Sequence, residues 1–185
     1  EAAISEVAEL SDTATDGEVL SHALKKLSQE AFKTNKDLAQ LESFYVPLDA
    51  QRTDNAKAAR TDINDEIMSF LGSGKRVCML LGQAGAGKTT YGRMLQQRLW
   101  ANTLQTQAVS KGKENDALTV PIRIELSQYD EPGAEASLEH HLKHQCELSR
   151  REIKVLQNSG HHFIVIYDGL DELRGGGLPR LYQQN

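Results

Sequence analysis

The fold and chemistry of this chain are decided by the stretch Gly82-Gln83-Ala84-Gly85-Ala86-Gly87-Lys88-Thr89. It fits the pattern G-x-x-x-x-G-K-[ST] of a phosphate-binding P-loop. In such a loop, glycines allow backbone N–H groups to converge on an anion at the start of a helix. We expect Lys88 to reach the β- and γ-phosphates of a nucleotide and the Thr89 hydroxyl to bind Mg²⁺. The alternative is a glycine-rich turn that matches the pattern by chance.

The residues on either side of this loop supply the context that a P-loop requires. Residues 77–81 form a short apolar run, for which we expect a strand. Beyond the loop, Met94, Leu95 and Leu99 fall at helical spacing. Because strand, loop and helix follow in this order, we predict a nucleotide site built from residues 82–89 together with Thr90.

Composition limits the classes of function that remain. The 185 residues are enough for one domain with a core, and a net charge of -5 without a basic run argues against dedicated nucleic-acid binding. The two cysteines, Cys78 and Cys146, do not suggest a disulfide framework, which favours a cytoplasmic location. We find neither a signal-peptide pattern nor an apolar run of membrane-spanning length, and so expect no membrane partner. The chain starts at Glu1 rather than Met, so we expect a piece of a longer or processed polypeptide.

The rest of the chain alternates between helical and extended patterns. The helix predicted near the N-terminus either packs on its own domain or connects to an upstream effector module. The alternation of strands and helices predicts an α/β fold with a parallel sheet. We expect helices over 19–31, over 63–71 and within 137–158, the second of them with Asp62 or Thr61 as N-cap. We expect strands over 118–126 and 163–167 and an exposed loop over 101–118.

Acidic residues follow the last predicted strand. Asp168 stands at its C-terminal end, which is where open α/β sheets place ligand chemistry. We expect Asp168 to hold Mg²⁺ through water, as a Walker B aspartate. Glu172 or Asp171 would accept a proton from the attacking water or orient it. A solvated acidic turn is the alternative.

These two stretches, residues 82–90 and Asp168-Gly169-Leu170-Asp171-Glu172-Leu173, together resemble a NACHT domain. NACHT domains belong to the STAND class of signal-transduction P-loop NTPases, which are related to AAA+ proteins. The acidic pair after the Walker B aspartate is typical of the family. Two weaker similarities, Tyr45-Val46-Pro47-Leu48 and Leu181-Tyr182, point to NACHT proteins that carry long repeat arrays.

The resemblance implies a three-layer α/β sandwich, incomplete in this chain. It divides the chain into a helical or linker segment at 1–40 and the N-terminal part of a NACHT-like domain at 41–185. It also implies a switch between an ADP-bound closed state and an ATP-bound state that self-associates. Lys88 and Thr89 would bind phosphate and Mg²⁺, Asp168 the metal, and Glu172 would be the hydrolytic residue. A strand following residue 185, an upstream effector and downstream repeats would complete the protein.

Three other functions share the P-loop. A remodelling ATPase of the AAA+ kind would turn over continuously, a nucleotide or small-molecule kinase would need a lid and an acceptor site, and a scaffold would bind nucleotide without hydrolysis. The choice between ATP and GTP stays open.

His140 and His144 lie at i, i+4, a spacing that can bind Zn²⁺, but neighbouring charges favour an exposed helix face.

Overall fold

The computed structural model describes residues 11, 13–33, 46, 48–51, 59–109, 117–128 and 138–170. The chain divides into two compact units, a larger one of residues 1–36 with 87–185 and a smaller one of residues 37–86. The helices are α1 (Asp16–Lys33), α2 (Ile63–Leu71), α3 (Lys88–Val109), α4 (Leu138–His144) and α5 (Arg150–Asn158). The strands are β1 (Asp49–Ala50), β2 (Thr61–Asp62), β3 (Thr119–Glu125) and β4 (His162–Asp168), and a short 3₁₀ turn covers Leu126–Gln128.

The larger unit is organised by a parallel pair of strands. β3 pairs with β4 from Thr119↔His162 to Glu125↔Asp168. Helices α4 and α5 lie between the two strands in the chain, because parallel neighbours need a crossover connection. The strands predicted over 118–126 and 163–167 and the α/β class with a parallel sheet are confirmed.

The core of the larger unit forms where helices cover this sheet. α3 packs on both strands, and α1 packs on α5, α3 and β3. Gly92 of α3 lies so close to β4 that an added Cβ would stand 3.7 Å from the Ile166 side chain. The apolar side of α1 is buried in this core, as expected for a helix that packs on its own domain. The domain boundary at residue 40 stays a prediction. The core includes Ala23, Leu24, Leu27, Trp100, Val120, Ile122, Ile124, Ile153 and Leu156.

A buried carboxylate links α1 to α5. Ser149 and Glu152 form a capping box at the start of α5, in which each side chain accepts a hydrogen bond from the other residue's backbone N–H. The same carboxylate lies 2.7 Å from His22 Nδ1 and 3.2 Å from Lys26 Nζ. Burial raises the pKa of Glu152, but the hydrogen bonds from Ser149, His22 and Lys26 outweigh it and lower the pKa below its usual value.

The smaller unit contains β1, β2 and α2. β1 and β2 form a two-residue antiparallel ladder. Asp62 caps α2 by accepting a hydrogen bond from Asn64 N at 2.7 Å, and Gly72 ends the helix. The helix and its cap are as predicted from the sequence.

Two sequence predictions about the elements beside the P-loop are wrong. Residues 77–81 form no strand and belong to neither sheet, and Val77 is 71% exposed. A strand needs a hydrogen-bonded neighbour, and no described segment pairs with this run. Residues 101–109, predicted as loop, instead extend α3, and the buried Thr103 hydroxyl lies within hydrogen-bond distance of the Thr119 carbonyl oxygen. Polar residues suit an exposed helix face as well as they suit a loop.

The continuously apolar run 163–167 is typical of a strand buried on both faces, but β4 is not buried in this way. Phe163 and Tyr167 of β4 are 36% and 40% exposed. Among the described residues, β4 has β3 on one side and no paired strand on the other. A single neighbouring strand leaves the other edge and part of the side-chain surface open. In the described part of the chain, no helix has the length and apolarity to cross a membrane.

We predict that Glu152→Ala lowers the free energy of unfolding by about 2–4 kcal/mol at neutral pH. The change removes the acceptor of the Ser149 N–H in the capping box and leaves His22 and Lys26 without their shared acceptor. Because the folded pKa of Glu152 is lowered, this contribution is present above the pKa of an unfolded glutamate and is lost as the pH falls through the folded value. Urea unfolding followed by circular dichroism measures the effect.

The matched control for this prediction is Glu139→Ala. Glu139 is exposed and forms an i, i+4 ion pair with Lys143 on α4, so its loss should cost much less than the loss of Glu152. Equal losses in the two variants would show that Glu152 does not tie α1 to α5.

Candidate functional site

The start of α3 places three predicted site residues, Lys88, Thr89 and Thr90, in its first turn. The helix begins at Lys88, and its first backbone bond joins Tyr91 N to Gly87 O at 2.8 Å. Gly87 has a φ of 84°, a conformation that residues with a Cβ avoid, so the chain can turn directly into the helix there. Lys88 and Thr90 are partly buried, whereas Thr89 is exposed. The N–H groups in the first turn of a helix are the usual partners of an anion.

The preceding residues of the P-loop belong to the smaller unit. Residues 82–86 are exposed, and Ala86 N donates to Gln83 O at 3.2 Å, which closes a tight turn. Gly85 has a φ of 77°, which explains glycine at this position of the motif.

The central contact of the site joins the P-loop helix to the end of β4. Thr89 Oγ1 donates a hydrogen bond of 2.9 Å to Asp168 Oδ1 across 79 positions of sequence. Asp168 is the last residue of β4, and Gly169, with a φ of 79°, turns the chain away immediately after it. The structure therefore brings together the two residues for which the sequence predicts Mg²⁺ binding.

A third residue of this site, Arg123, was missed by sequence analysis. Its Nη1 donates to Asp168 Oδ2 at 3.0 Å, and its side chain is only 5% exposed. Arg123 is on β3, and the parallel register places the C-terminal ends of β3 and β4 beside each other. The available signal was a charged residue within the apolar stretch 120–126.

The charges around Arg123 extend across the sheet to α3. Glu125 Oε2 lies 3.5 Å from Arg123 Nη2 and 3.9 Å from Arg93 Nη2. His141 of α4 is affected by the same guanidinium, because burial first and then the charge of Arg123 lower its pKa to about 4. Arg123 and Asp168 are thus the buried members of a larger set of charged side chains, in which Glu125 and Arg93 are partly exposed.

The donor set at Thr89 and Asp168 fits a magnesium ion. Both residues offer oxygen, the ligand that Mg²⁺ prefers, and the 2.9 Å between the two oxygens matches the spacing of about 2.9 Å between adjacent ligands of an octahedral Mg²⁺ with bonds of 2.0–2.1 Å. Magnesium in nucleotide sites takes one or two protein oxygens and completes its shell with phosphate and water. Within the described ranges, no group of three or more His, Cys, Asp or Glu side chains could hold a metal. Magnesium bound with a nucleotide does not require such a group, because one or two protein oxygens are enough.

The remaining predicted residues divide into two groups. Asp171 and Glu172 lie outside the described residues, as do Tyr45, Pro47, Leu181 and Tyr182, so their roles stay predictions. The histidine pair of α4 is described, and the ring centres of His140 and His144 are 4.2 Å apart. Burial raises the pKa of the nearby Cys146 thiol to about 12, which makes it a poor metal ligand at neutral pH.

Comparisons with known proteins bear directly on this arrangement. The model of the NACHT domain family matches residues 76–179, more than half of the chain. This range contains the P-loop, α3, both strands of the parallel sheet and the acidic residues that follow β4. A search of curated proteins and a search of solved structures gave no match. On the strength of the family match, the chain belongs to the NACHT family of P-loop NTPases.

Proposed function

We propose that this chain is the nucleotide-binding part of a STAND switch, which binds ATP with Mg²⁺ and hydrolyses it slowly. The hydrogen bond between Thr89 and Asp168 is the observation that carries the proposal. It joins the first turn of the P-loop helix to the strand end where a Walker B aspartate is expected. The fold thus supports the assignment of both motifs to one site.

Each residue of the proposed site has a separate task. Backbone N–H groups of residues 82–87 and the Lys88 ammonium would bind the phosphates, with Thr90 at the next position of the helix. Thr89 and Asp168 would hold Mg²⁺, Asp168 either directly or through water. The ion, when bound, neutralises negative charge on the phosphates. Glu172 would then accept a proton from the attacking water or orient it, with Asp171 as the alternative.

The proposed biological role follows the family. ATP would favour an open form of the full protein that self-associates, and hydrolysis to ADP would return it to the closed form. Flanking effector and repeat domains would supply the output and the sensing, in the cytoplasm. Steady-state turnover in the full protein tests this role, since continuous rapid hydrolysis would support a remodelling ATPase instead.

We predict that Lys88→Ala weakens ATP binding by tens-fold to a hundredfold, about 2–3 kcal/mol, because a charge-assisted contact with the phosphates is lost. Isothermal titration of ATP with Mg²⁺ measures this. The matched control is Lys75→Ala, because Lys75 ends the exposed sequence Gly72-Ser73-Gly74-Lys75, which only superficially resembles a phosphate loop. Similar affinities in the Lys88 variant and the wild type would refute the P-loop assignment.

We further predict that Glu172→Gln retains ATP binding and reduces turnover by about 10²–10⁴-fold, the usual effect of losing a general base. The amide keeps the shape of the side chain but cannot take the proton. Asp171→Asn is the paired variant, and phosphate release together with ATP titration separates hydrolysis from binding. If turnover is lost in Asp171→Asn and retained in Glu172→Gln, then Asp171 rather than Glu172 accepts the proton.

A further inference from the structure

Asp168 is held from two sides, and only one of its partners belongs to the P-loop. Oδ1 accepts the Thr89 hydroxyl hydrogen at 2.9 Å, while Oδ2 accepts from Arg123 Nη1 at 3.0 Å. The Asp168 side chain is 9% exposed and that of Arg123 5% exposed. A carboxylate this deeply buried requires a partner, and here the partner also fixes which oxygen faces the P-loop helix.

We propose that Arg123 is a positioning residue for the metal site, and that it orients Asp168 so that Oδ1 faces Thr89. The inference rests on the proposed function, because it assumes that Thr89 and Asp168 hold Mg²⁺. Hydrogen-bond partners of metal-binding carboxylates fix their orientation, and removing such a partner typically costs tenfold to a hundredfold in metal affinity or activity.

The position of Arg123 is itself constrained by its neighbours. The parallel register sets Arg123 beside Ile166 and Glu125 beside Asp168. The guanidinium therefore reaches two residues along the strand direction to meet Asp168. Glu125 Oε2 lies 3.5 Å from both terminal nitrogens of the guanidinium and steadies it. The planar fork of an arginine suits two carboxylates at fixed angles, which an ammonium group does not.

The two terminal nitrogens make the polar contacts of the Arg123 guanidinium. Nη1 donates to Asp168 Oδ2 at 3.0 Å, and both terminal nitrogens lie 3.5 Å from Glu125 Oε2. The Nε–H is buried with no hydrogen-bond partner in the described structure. The guanidinium is therefore oriented by these two carboxylates, and its link to Thr89 of the P-loop helix runs through Asp168.

The test compares ATP affinity in Mg²⁺ with ATP affinity in EDTA, by isothermal titration of the purified protein. We expect Arg123→Gln to reduce the gain in affinity that Mg²⁺ gives by about tenfold or more and to change the affinity in EDTA by less than about threefold. Arg123→Lys, which keeps the charge without the fork, should lose an intermediate part of the gain. Arg151→Gln is the control, because Arg151 belongs to an exposed ion pair with Asp16 in the same unit.

A double variant separates positioning from general stability. If Arg123 acts through Asp168, the double variant Arg123→Gln with Asp168→Asn should show the same gain in ATP affinity from Mg²⁺ as Asp168→Asn alone. This double variant has no buried unpaired charge, and thermal unfolding checks that it and the single variants fold. If Arg123→Gln does not unfold cooperatively, Arg123→Lys is compared with the wild type instead. We then expect Arg123→Lys to lose at least about threefold of the gain in ATP affinity that Mg²⁺ gives.

Three results would overturn the inference. They are an unchanged or larger Mg²⁺ gain in Arg123→Gln, an equal loss of affinity in Mg²⁺ and in EDTA, and additive losses in the double variant. Absence of ATP binding by the wild type would instead refute the proposed function, so the two failures can be told apart.

Discussion

The carboxylate of Asp168 has to be paired because it is buried, and the structure around it follows from that requirement. Its two oxygens are bound by residues from different elements, Thr89 of α3 and Arg123 of β3. Three elements that are distant in sequence therefore meet at one point. Separation of β3 from β4 would leave Asp168 and Arg123 unpaired away from water, which costs several kcal/mol.

The parallel sheet explains why this point lies where it does. In a parallel pair the strands end at the same edge, and the register brings Glu125 beside Asp168 at that edge. The P-loop helix packs on the same strands and starts at Lys88, with Gly92 against β4. Open α/β sheets bind ligands at this edge because loops and helix starts converge there. The remaining cover, from α1 and α5, completes the core and is tied together by Glu152 rather than by the site.

The elements that sequence analysis predicted correctly have local causes. Asp62 caps the start of α2 and Gly72 ends it, and the capping box of Ser149 and Glu152 begins α5. Such caps are made by residues within a few positions of the helix end. The wrong predictions concern non-local facts. Whether residues 77–81 form a strand depends on a neighbour that apolar periodicity does not identify, and the extension of α3 to Val109 depends partly on the contact of Thr103 with β3.

The sequence by itself determined the P-loop motif, the α/β class and the family and predicted the Walker B aspartate, because these rest on residue types at fixed spacing along the chain. Only the tertiary structure decided which of those residues meet. It joined Thr89 to Asp168 across 79 positions and added Arg123, whose place in an apolar strand indicated nothing about its partner. The physical reason is that an ion pair depends on distance in space and on burial, and both are fixed only when the strands pair and the helix packs on them.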